Sequence, residues 1–560
     1  MASTGLEKEV IHALQCIKDG KNFILEGGAG SGKTYSLIQL IETLIIENPD
    51  IRIVCITYTN NAVSEILSRI DSANLWVSTI HEFIWSVIKK YQIEIKKILQ
   101  ELINDESIKR FKKPKGFEED DITEDYFENI YVDYDEYYSM TPNNEDRIKI
   151  SHDHILVVAE KMFSEYKKLS DILKDIADCI FVDEYQDTNP LIATILLKHL
   201  EQSSKKNVIG FFGDSMQAIY DNGIGNLNQY SLTKIIKTQN RRNPRTIIEI
   251  ANKFRNDNMV QFPSEDISAP NMENGTIIEG SVKFLYGKEL GDFNNIKDHP
   301  IFIDWDFSDS KKTKKLMLTH RYNAEMIGFK DLFNLYNKYN RESLMSYKLN
   351  SANGRYEAGS HRDRILQRLD IVEEIIFLYT SGRFNDFLKK TNFSINNNDD
   401  KVFLKNTIEY LTDSSDKTIE DVLNFSEEKG LLKTDDLFNE YISNRDAHLW
   451  EKLKKLPFAQ YRKSISYLKE FSPNCTQHSV KGSEYDNVFL ILESNWNEYD
   501  FKTLFGKGSS NPNVQTRTKK LFYVCITRAK RNLVIYMPTD DIDIITPAKE
   551  IFGEDNTICI

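Results

Sequence analysis

The sequence predicts an α/β protein with two parallel-sheet cores, each interrupted by an insertion. Short apolar runs followed by helical periodicity recur along the chain, which is the pattern of doubly wound parallel sheets. They cluster in two regions, "NFILEGG", "IRIVCITYT", "DCIFVDE" and "NVIGFFGD" in the first, then "KLMLTHR", "NVFLILE" and "NLVIYMP" in the second. The length, 560 residues, also exceeds what a single compact core accommodates.

The intervening segments differ in character. Residues 85–150 are charged and aromatic, with a basic stretch and then "EEDDITED" and "YVDYDEYY". Residues 335–465 read as amphipathic helices ("ILQRLDIVEEIIFLY", "VFLKNTIEYL", "DVLNFSEEKG"), broken by the polar "INNNDDK". The expected organisation is a first core over 1–84 and 151–237 with an insertion over 85–150. A second core spans 238–334 and 466–560, with a helical insertion over 335–465. No fixed-period repeat is visible.

Net charge is −13 and the pI is near 5.5. Such a surface repels a polyanion on average, so nucleic acid would need a local groove of positive potential. Candidate patches are "KRFKKPK" (Lys109–Lys115), "KKTKK" (Lys311–Lys315) and "TRTKK" (Thr516–Lys520). Each, taken singly, reads first as solvated surface charge. No apolar run approaches the ~18 residues of a membrane span. The opening "MASTGLEKEV" lacks a basic region followed by an apolar one, so no secretion signal is expected. Six cysteines (Cys16, Cys55, Cys179, Cys475, Cys525, Cys559) are scattered without a CxxC, which fits a reducing cytoplasm. "HDH" at His152–His154 is the one close histidine pair.

The first chemical signal is Gly27-x4-Gly32-Lys33-Thr34, after a strand-like run and opening a helical pattern. Glycines let the backbone N–H groups of Gly27, Gly28, Ala29, Gly30, Ser31 and Gly32 turn around phosphate oxygens. Lys33 supplies charge to the terminal phosphates, and Thr34 offers a hydroxyl to Mg²⁺. The second signal is "DCIFVDEYQDTNP", which ends an apolar strand with Asp183 and Glu184. At the C-terminal end of a parallel strand, Asp183 can face the metal. Glu184 is then free to orient or deprotonate an attacking water. Together the two signals imply an NTP hydrolase.

A third stretch, "GDSMQAIY", completes a pattern that resembles motifs I, II and III of the superfamily 1A helicases, the group of UvrD, Rep and PcrA. The other motifs follow in order. "ITYTNNAVSEIL" looks like motif Ia, "STIHEF" motif Ib and "QNRRNPRTIIEIAN" motif IV. "LMLTHRYNAE" is similar to motif IVa, "TQHSVKGSEYDNVFL" to motif V and "LFYVCITRAKRNLVIY" to motif VI. The matches run collinearly from Asn22 to Tyr536, and the insertions fall where the family places subdomains 1B and 2B. The resemblance implies two RecA-like cores (1A, 2A) that clamp ATP and Mg²⁺, and single-stranded or tailed duplex DNA as the partner. It implies ATP-driven movement along the strand, 3′ to 5′. Gln217 would then read the γ-phosphate, while Arg242 and Arg528 would reach across from the second core. Glu484 would lie near the ribose. By the same carry-over Tyr58, Thr59, Asn60, Thr79, His81, Tyr220, Thr476, His478 and Lys481 would hold the strand through phosphates and stacked bases.

Departures from the family pattern are specific. After Tyr220 the family continues with Gly, Trp and Arg, and this chain has Asp221, Asn222 and Gly223. Arg241 stands where the family stacks a Tyr on adenine, and a guanidinium plane can stack there instead. The adenine-selecting glutamine is not evident, since Glu9 is near its place and Gln15 falls too late. The 2B-like segment looks shorter than in the large housekeeping members. No nuclease constellation is evident at either end. These traits are similar to compact members that serve in bacterial anti-phage systems such as Gabija, beside a nuclease partner. They raise a second expectation, a DNA-stimulated ATPase that acts as a sensor or regulatory subunit without processive unwinding.

Overall fold

The computed structural model describes the chain apart from residues 1–4, 58–59, 115, 118–119, 136–137, 144–145, 221, 288–297, 351–354, 359–361, 414–415, 470–471 and 494–495. It divides into two units, Met1–Glu279 with Lys519–Thr527, and Gly280–Thr518 with Arg528–Ile560. The division expected at 237 thus falls at Glu279. Residues 238–279 belong with the first unit because their polar side chains are bonded to its phosphate loop, as described below.

The first unit carries a six-stranded parallel sheet: β1 (Phe23–Gly27), β2 (Ile53–Thr57), β3 (Leu75–Thr79), β4 (Cys179–Val182), β5 (Val208–Gly213) and β6 (Thr233–Lys237). The strand order is β3–β2–β4–β5–β1–β6. β2, β4 and β5 are buried at every position, which is why they read as continuous apolar runs. The edge strand β6, "TKIIK", buries only Ile235 and Lys237, and its sequence gave no comparable signal. Strands β4, β5 and β1 are adjacent and parallel. The loops at their C-terminal ends therefore emerge on one edge of the sheet, the usual ligand position in such folds.

The 85–150 insertion is built onto this core rather than apart from it. Helices Ile80–Ile88 and Gln92–Asn104 and the parallel pair Tyr131–Tyr134 with Arg147–Ile150 bury Phe83, Ile98, Leu102 and Ile148. These share one apolar cluster with Ile180 and Val182 of β4.

The second unit has its own six-stranded parallel sheet: β7 (Ser281–Gly287), β8 (Thr313–Met317), β9 (Asn474–Thr476), β10 (Tyr485–Ile491), β11 (Ala529–Pro538) and β12 (Thr557–Cys559). The order is β9–β8–β10–β11–β7–β12. Between β8 and β9 runs a helical block with a separate core that includes Leu332, Tyr336, Leu369, Val372, Ile408 and Tyr461. It also holds an antiparallel hairpin, Tyr347–Asn350 with Arg355–Ala358, that helical periodicity did not announce.

The basic patches are partly taken up by the fold, while Lys109, Arg110, Lys112, Lys311 and Lys312 stay exposed. Lys314 and Lys315 lie in β8 at 3% and 7% exposure, and Lys314 Nζ donates to the Ser472 carbonyl. Lys113 pairs with Asp121, and Arg517 with Glu498. His154 is buried with its ring stacked on Tyr138. Among the described residues, no helix is long and apolar enough to cross a membrane.

Candidate functional site

The Gly27–Thr34 loop joins β1 to the helix Lys33–Glu47. Gly30 and Gly32 adopt φ of 74° and 79°, a left-handed backbone that favours glycine. A Cβ on Gly30 would also sit 2.7 Å from Asn240 Oδ1 and 2.8 Å from the Arg242 Cβ. Lys33 is buried, and its Nζ donates to the carbonyls of Gly27 at 3.0 Å and Gly28 at 3.5 Å. Ser31 Oγ is buried without a hydrogen-bond partner. An ammonium turned onto loop carbonyls and an unpartnered hydroxyl, at a helix N-terminus, fit an anionic occupant such as a nucleotide phosphate.

Asp183 follows β4 and is buried. Burial and the neighbouring negative charge of Glu184 push its carboxyl up to about 7, against the opposing charge of Lys33. Such a carboxylate gains most from a cation, as a metal ligand does. Glu184 has a left-handed backbone, φ 48°, so the chain turns sharply after Asp183. Glu184 accepts from Gln186 Nε2, and Gln186 Oε1 accepts the Asp214 N–H at 3.0 Å. Asp214 follows β5, and its Oδ2 accepts from Gln217 Nε2 at 3.0 Å. The acid pair and the "GDSMQ" turn are thereby one hydrogen-bonded unit. Gly223 closes it, because Ile224 N–H donates to the Thr188 carbonyl and Gly225 N–H to that of Gln186. A Cβ on Gly223 would collide with the Gln186 carbonyl. The backbone at Gly223 thus passes too close to its neighbour for a side chain.

The segment after β6 seats on the loop. Asn240 Nδ2 donates to the Ala29 carbonyl at 2.9 Å, Gln261 Nε2 donates to the same oxygen at 3.2 Å, and Arg241 N–H donates to the Gly30 carbonyl at 2.8 Å. Arg242 therefore belongs to the unit that carries the phosphate loop. The expectation that it reaches across from the second core is corrected by these bonds and by the division at Glu279. Arg241 lies 5.9 Å over the Tyr35 ring and pairs with Asp266 at 2.6 Å. Of the candidates for the missing glutamine, Gln15 instead donates to Asp19 on the exposed face of its helix. Glu7 is the N-terminal acid that approaches the loop helix, accepting from Ser36 Oγ at 2.5 Å and pairing with buried Lys237.

Sequence reasoning missed two further groups. Arg255 forks onto Asp214, with Nη2 3.1 Å from Oδ1 and Nη1 3.4 Å from Oδ2. Tyr523 Oη accepts the Ala29 N–H at 3.0 Å. Burial would raise the Asp214 carboxyl, but the charges of Arg255 and Lys33 outweigh it and hold the group below the usual carboxylate range.

The residues carried over for DNA fall on both units. Tyr58 and Thr59 lie outside the described residues, and Asn60 is exposed at the start of the helix Asn60–Leu67. Thr79 ends β3 and donates from Oγ1 to Glu82 at 3.0 Å, capping the helix Ile80–Ile88. His81 lies 4.6 Å from the ring of His152. Burial, and then the neighbouring His152, lower its pKa to about 4, so His81 is a neutral donor or acceptor at pH 7 and not a cation. Tyr220 is 39% exposed. On the second unit, Thr476 ends β9, and His478 Nε2 lies 2.7 Å from Tyr499 Oη in a cluster with Trp496. Lys481 and Gly482 follow in the same turn, Gly482 at φ 85°, and Glu484 is exposed beside it. Arg528 is 1% exposed and donates from Nη1 to the Ser483 carbonyl at 3.3 Å. Arg528 thus bonds the residues on either side of Glu484, through the Ser483 carbonyl and the Tyr485 N–H.

Comparisons with known proteins match two regions of the chain to family models. Residues 11–222 match the model of an AAA domain, and residues 459–539 that of the UvrD-like helicase C-terminal domain. The chain is similar to Gabija protein GajB of Bacillus cereus strain HuB5-5, at 26% identity over 98% of each chain. It is 28% identical to a second Gabija protein GajB, of B. cereus strain VD045, over 37% of this chain and 39% of that one. To the ATP-dependent DNA helicase PcrA of Staphylococcus aureus strain Mu50 it is 26% identical, over 43% of this chain and 38% of that one.

Proposed function

We infer the function from the premise that this chain belongs to the UvrD-like superfamily 1 helicases, and is Gabija-like among them. It is a helicase-type ATPase. We propose that it hydrolyses ATP with Mg²⁺ while moving 3′ to 5′ along single-stranded DNA, and that it unwinds tailed duplexes. The observation that carries this reading is that the phosphate loop, the acid pair and the Asp214–Gln217 turn follow three adjacent parallel strands at one sheet edge, the pair and the turn joined through Gln186.

Thr34 and Asp183 would hold Mg²⁺, which when bound screens the phosphate charge. Lys33 exchanges its bonds to Gly27 and Gly28 for phosphate oxygens. Glu184 takes the proton of the attacking water, and Gln217 senses the terminal phosphate from its hold on Asp214. Arg242 acts from the loop's own unit, and Arg528 and Glu484 from the second. Arg241, stacked over Tyr35, offers a face to the base. Tyr220 stacks on DNA bases, while Asn60, Thr79, His81, Thr476, His478 and Lys481, with Tyr58 and Thr59, hold the backbone. In this reading the insertions act as subdomains 1B and 2B.

A second reading is favoured by the end-to-end similarity to GajB and by Asn222 and Gly223 standing where the family keeps Trp and Arg. In it the chain is a DNA-stimulated ATPase that regulates a nuclease partner in anti-phage defence, without processive unwinding. Unwinding assays on 3′-tailed and 5′-tailed duplexes separate the two. Unwinding from a 3′ tail supports the motor. DNA-stimulated hydrolysis without unwinding supports the regulator, and unwinding from a 5′ tail alone contradicts the polarity.

A further inference from the structure

Tyr523 and Arg255 form a buried junction beneath the phosphate loop. The Tyr523 hydroxyl accepts from Ala29 N–H at 3.0 Å and from Arg255 Nη1 at 2.5 Å, and donates to Asp214 Oδ2 at 3.3 Å. Two bonds accepted and one donated exhaust a hydroxyl. The same Ala29 peptide is fixed on its other side, where its carbonyl accepts from Asn240 and Gln261. Asp214 in turn holds Gln217. The Arg255 and Asp214 side chains are 2% and 0% exposed.

A buried ion pair is often no more stabilising than an apolar replacement of similar volume, because both charges lose their hydration. What the fork does supply is a fixed geometry, since two guanidinium nitrogens each reach one carboxylate oxygen. Here it connects the loop that would hold phosphate to the turn that would sense it.

We propose that Tyr523 and Arg255 are positioning residues of ATP hydrolysis, which lock the Ala29 peptide and the Asp214–Gln217 turn into one arrangement. This rests on the ATPase reading. Neither residue touches the nucleotide in the proposal. Each acts through Ala29 or through Asp214 and Gln217. Preorganised donors work only when held in place, and a misplacement of about 1 Å costs on the order of 10²-fold in rate.

The test is steady-state ATP hydrolysis by the full chain with single-stranded DNA, per folded molecule, for Tyr523→Phe and Arg255→Lys. The first removes one oxygen, and the second keeps the cation but loses the fork. Lys33→Ala runs alongside. Both variants are expected to lose about 10-fold or more in kcat with KM for ATP within about threefold of wild type. The double variant should cost no more than the worse single one, because the residues act as a unit. Wild-type kcat in either single variant, or a loss confined to KM, overturns the proposal. A change in Tm with kcat per folded molecule intact also overturns it, as a merely structural role. Persistent turnover in Lys33→Ala would instead overturn the ATPase reading itself.

Discussion

Lys33 Nζ donates to the Gly27 carbonyl across 3.0 Å, so the cation of the phosphate loop is folded onto its own backbone. Phosphate oxygens are stronger acceptors for an ammonium than amide carbonyls. Lys33→Ala is expected to lower ATP turnover by about 10² or more, in line with removal of a charge-stabilising donor. Its Tm should stay within a few degrees of wild type, measured by thermal melting.

Arg528 is the arginine of the second unit assigned to phosphate charge. Its side chain is held under the Ser483 carbonyl. Lysine keeps the charge but cannot reproduce a planar fork. In Arg528→Lys, ATP should still bind in a fluorescent-nucleotide titration while turnover falls about 10³-fold. Near-normal turnover would remove Arg528 from the catalytic set.

Tyr220 is exposed just past the Asp214–Gln217 turn, where a base can stack on it. Stacking contributes roughly 1–3 kcal/mol per base. Tyr220→Ala should raise the DNA concentration for half-maximal ATPase stimulation by on the order of 10-fold, and Tyr220→Phe should restore it. An unchanged midpoint in Tyr220→Ala would place the strand elsewhere.

Gly223 passes against the Gln186 carbonyl, so Gly223→Ala must push the acid-pair turn aside. Overpacking of this kind costs about 1–3 kcal/mol. The expected result is a lower Tm together with a lower turnover, because the displaced backbone carries the Gln186 side chain that bonds Asp214 N–H and Glu184. A wild-type Tm would show that the turn yields without cost.

Glu493, at the end of β10 in the second unit, is 5% exposed and accepts the Leu318 N–H at 3.3 Å. Burial raises its pKa to about 7 from an ordinary 4.5. The native state then binds more protons than the unfolded chain between those values. The resulting stability is complete below about 4.5 and is lost as pH rises through 7. Glu493→Gln removes the buried charge and keeps a carbonyl acceptor. Its Tm should match wild type near pH 5 and exceed it at pH 8, corresponding to at most about 3 kcal/mol. Parallel pH profiles would contradict the assignment.

What the sequence made legible was local. The phosphate loop, the acid pair, the "GDSMQ" turn and the central strands are contiguous patterns, and strand adjacency brings the loop, the pair and the turn to one sheet edge. Less legible features depend on partners far along the chain. Arg255 meets Asp214 across 41 residues, and Tyr523 meets Ala29 across 494. Neither residue type is unusual where it stands. The placement of 238–279 was misjudged for the same reason, since side-chain bonds from Asn240 and Gln261 decide it. The patch at Lys311–Lys315 shows the converse. Its charge looked like surface, but Lys314 and Lys315 alternate across a buried strand and extend their ends to Ser472 and over Phe307.

The central claim is that nucleic acid and ATP meet in one cycle. It is tested most directly by the ATP hydrolysis rate of the full chain with Mg²⁺, with and without single-stranded DNA. The account predicts a rate that rises severalfold or more with DNA and falls by about 10² or more in both conditions in Lys33→Ala. A rate indifferent to DNA would contradict the motor and the regulator alike.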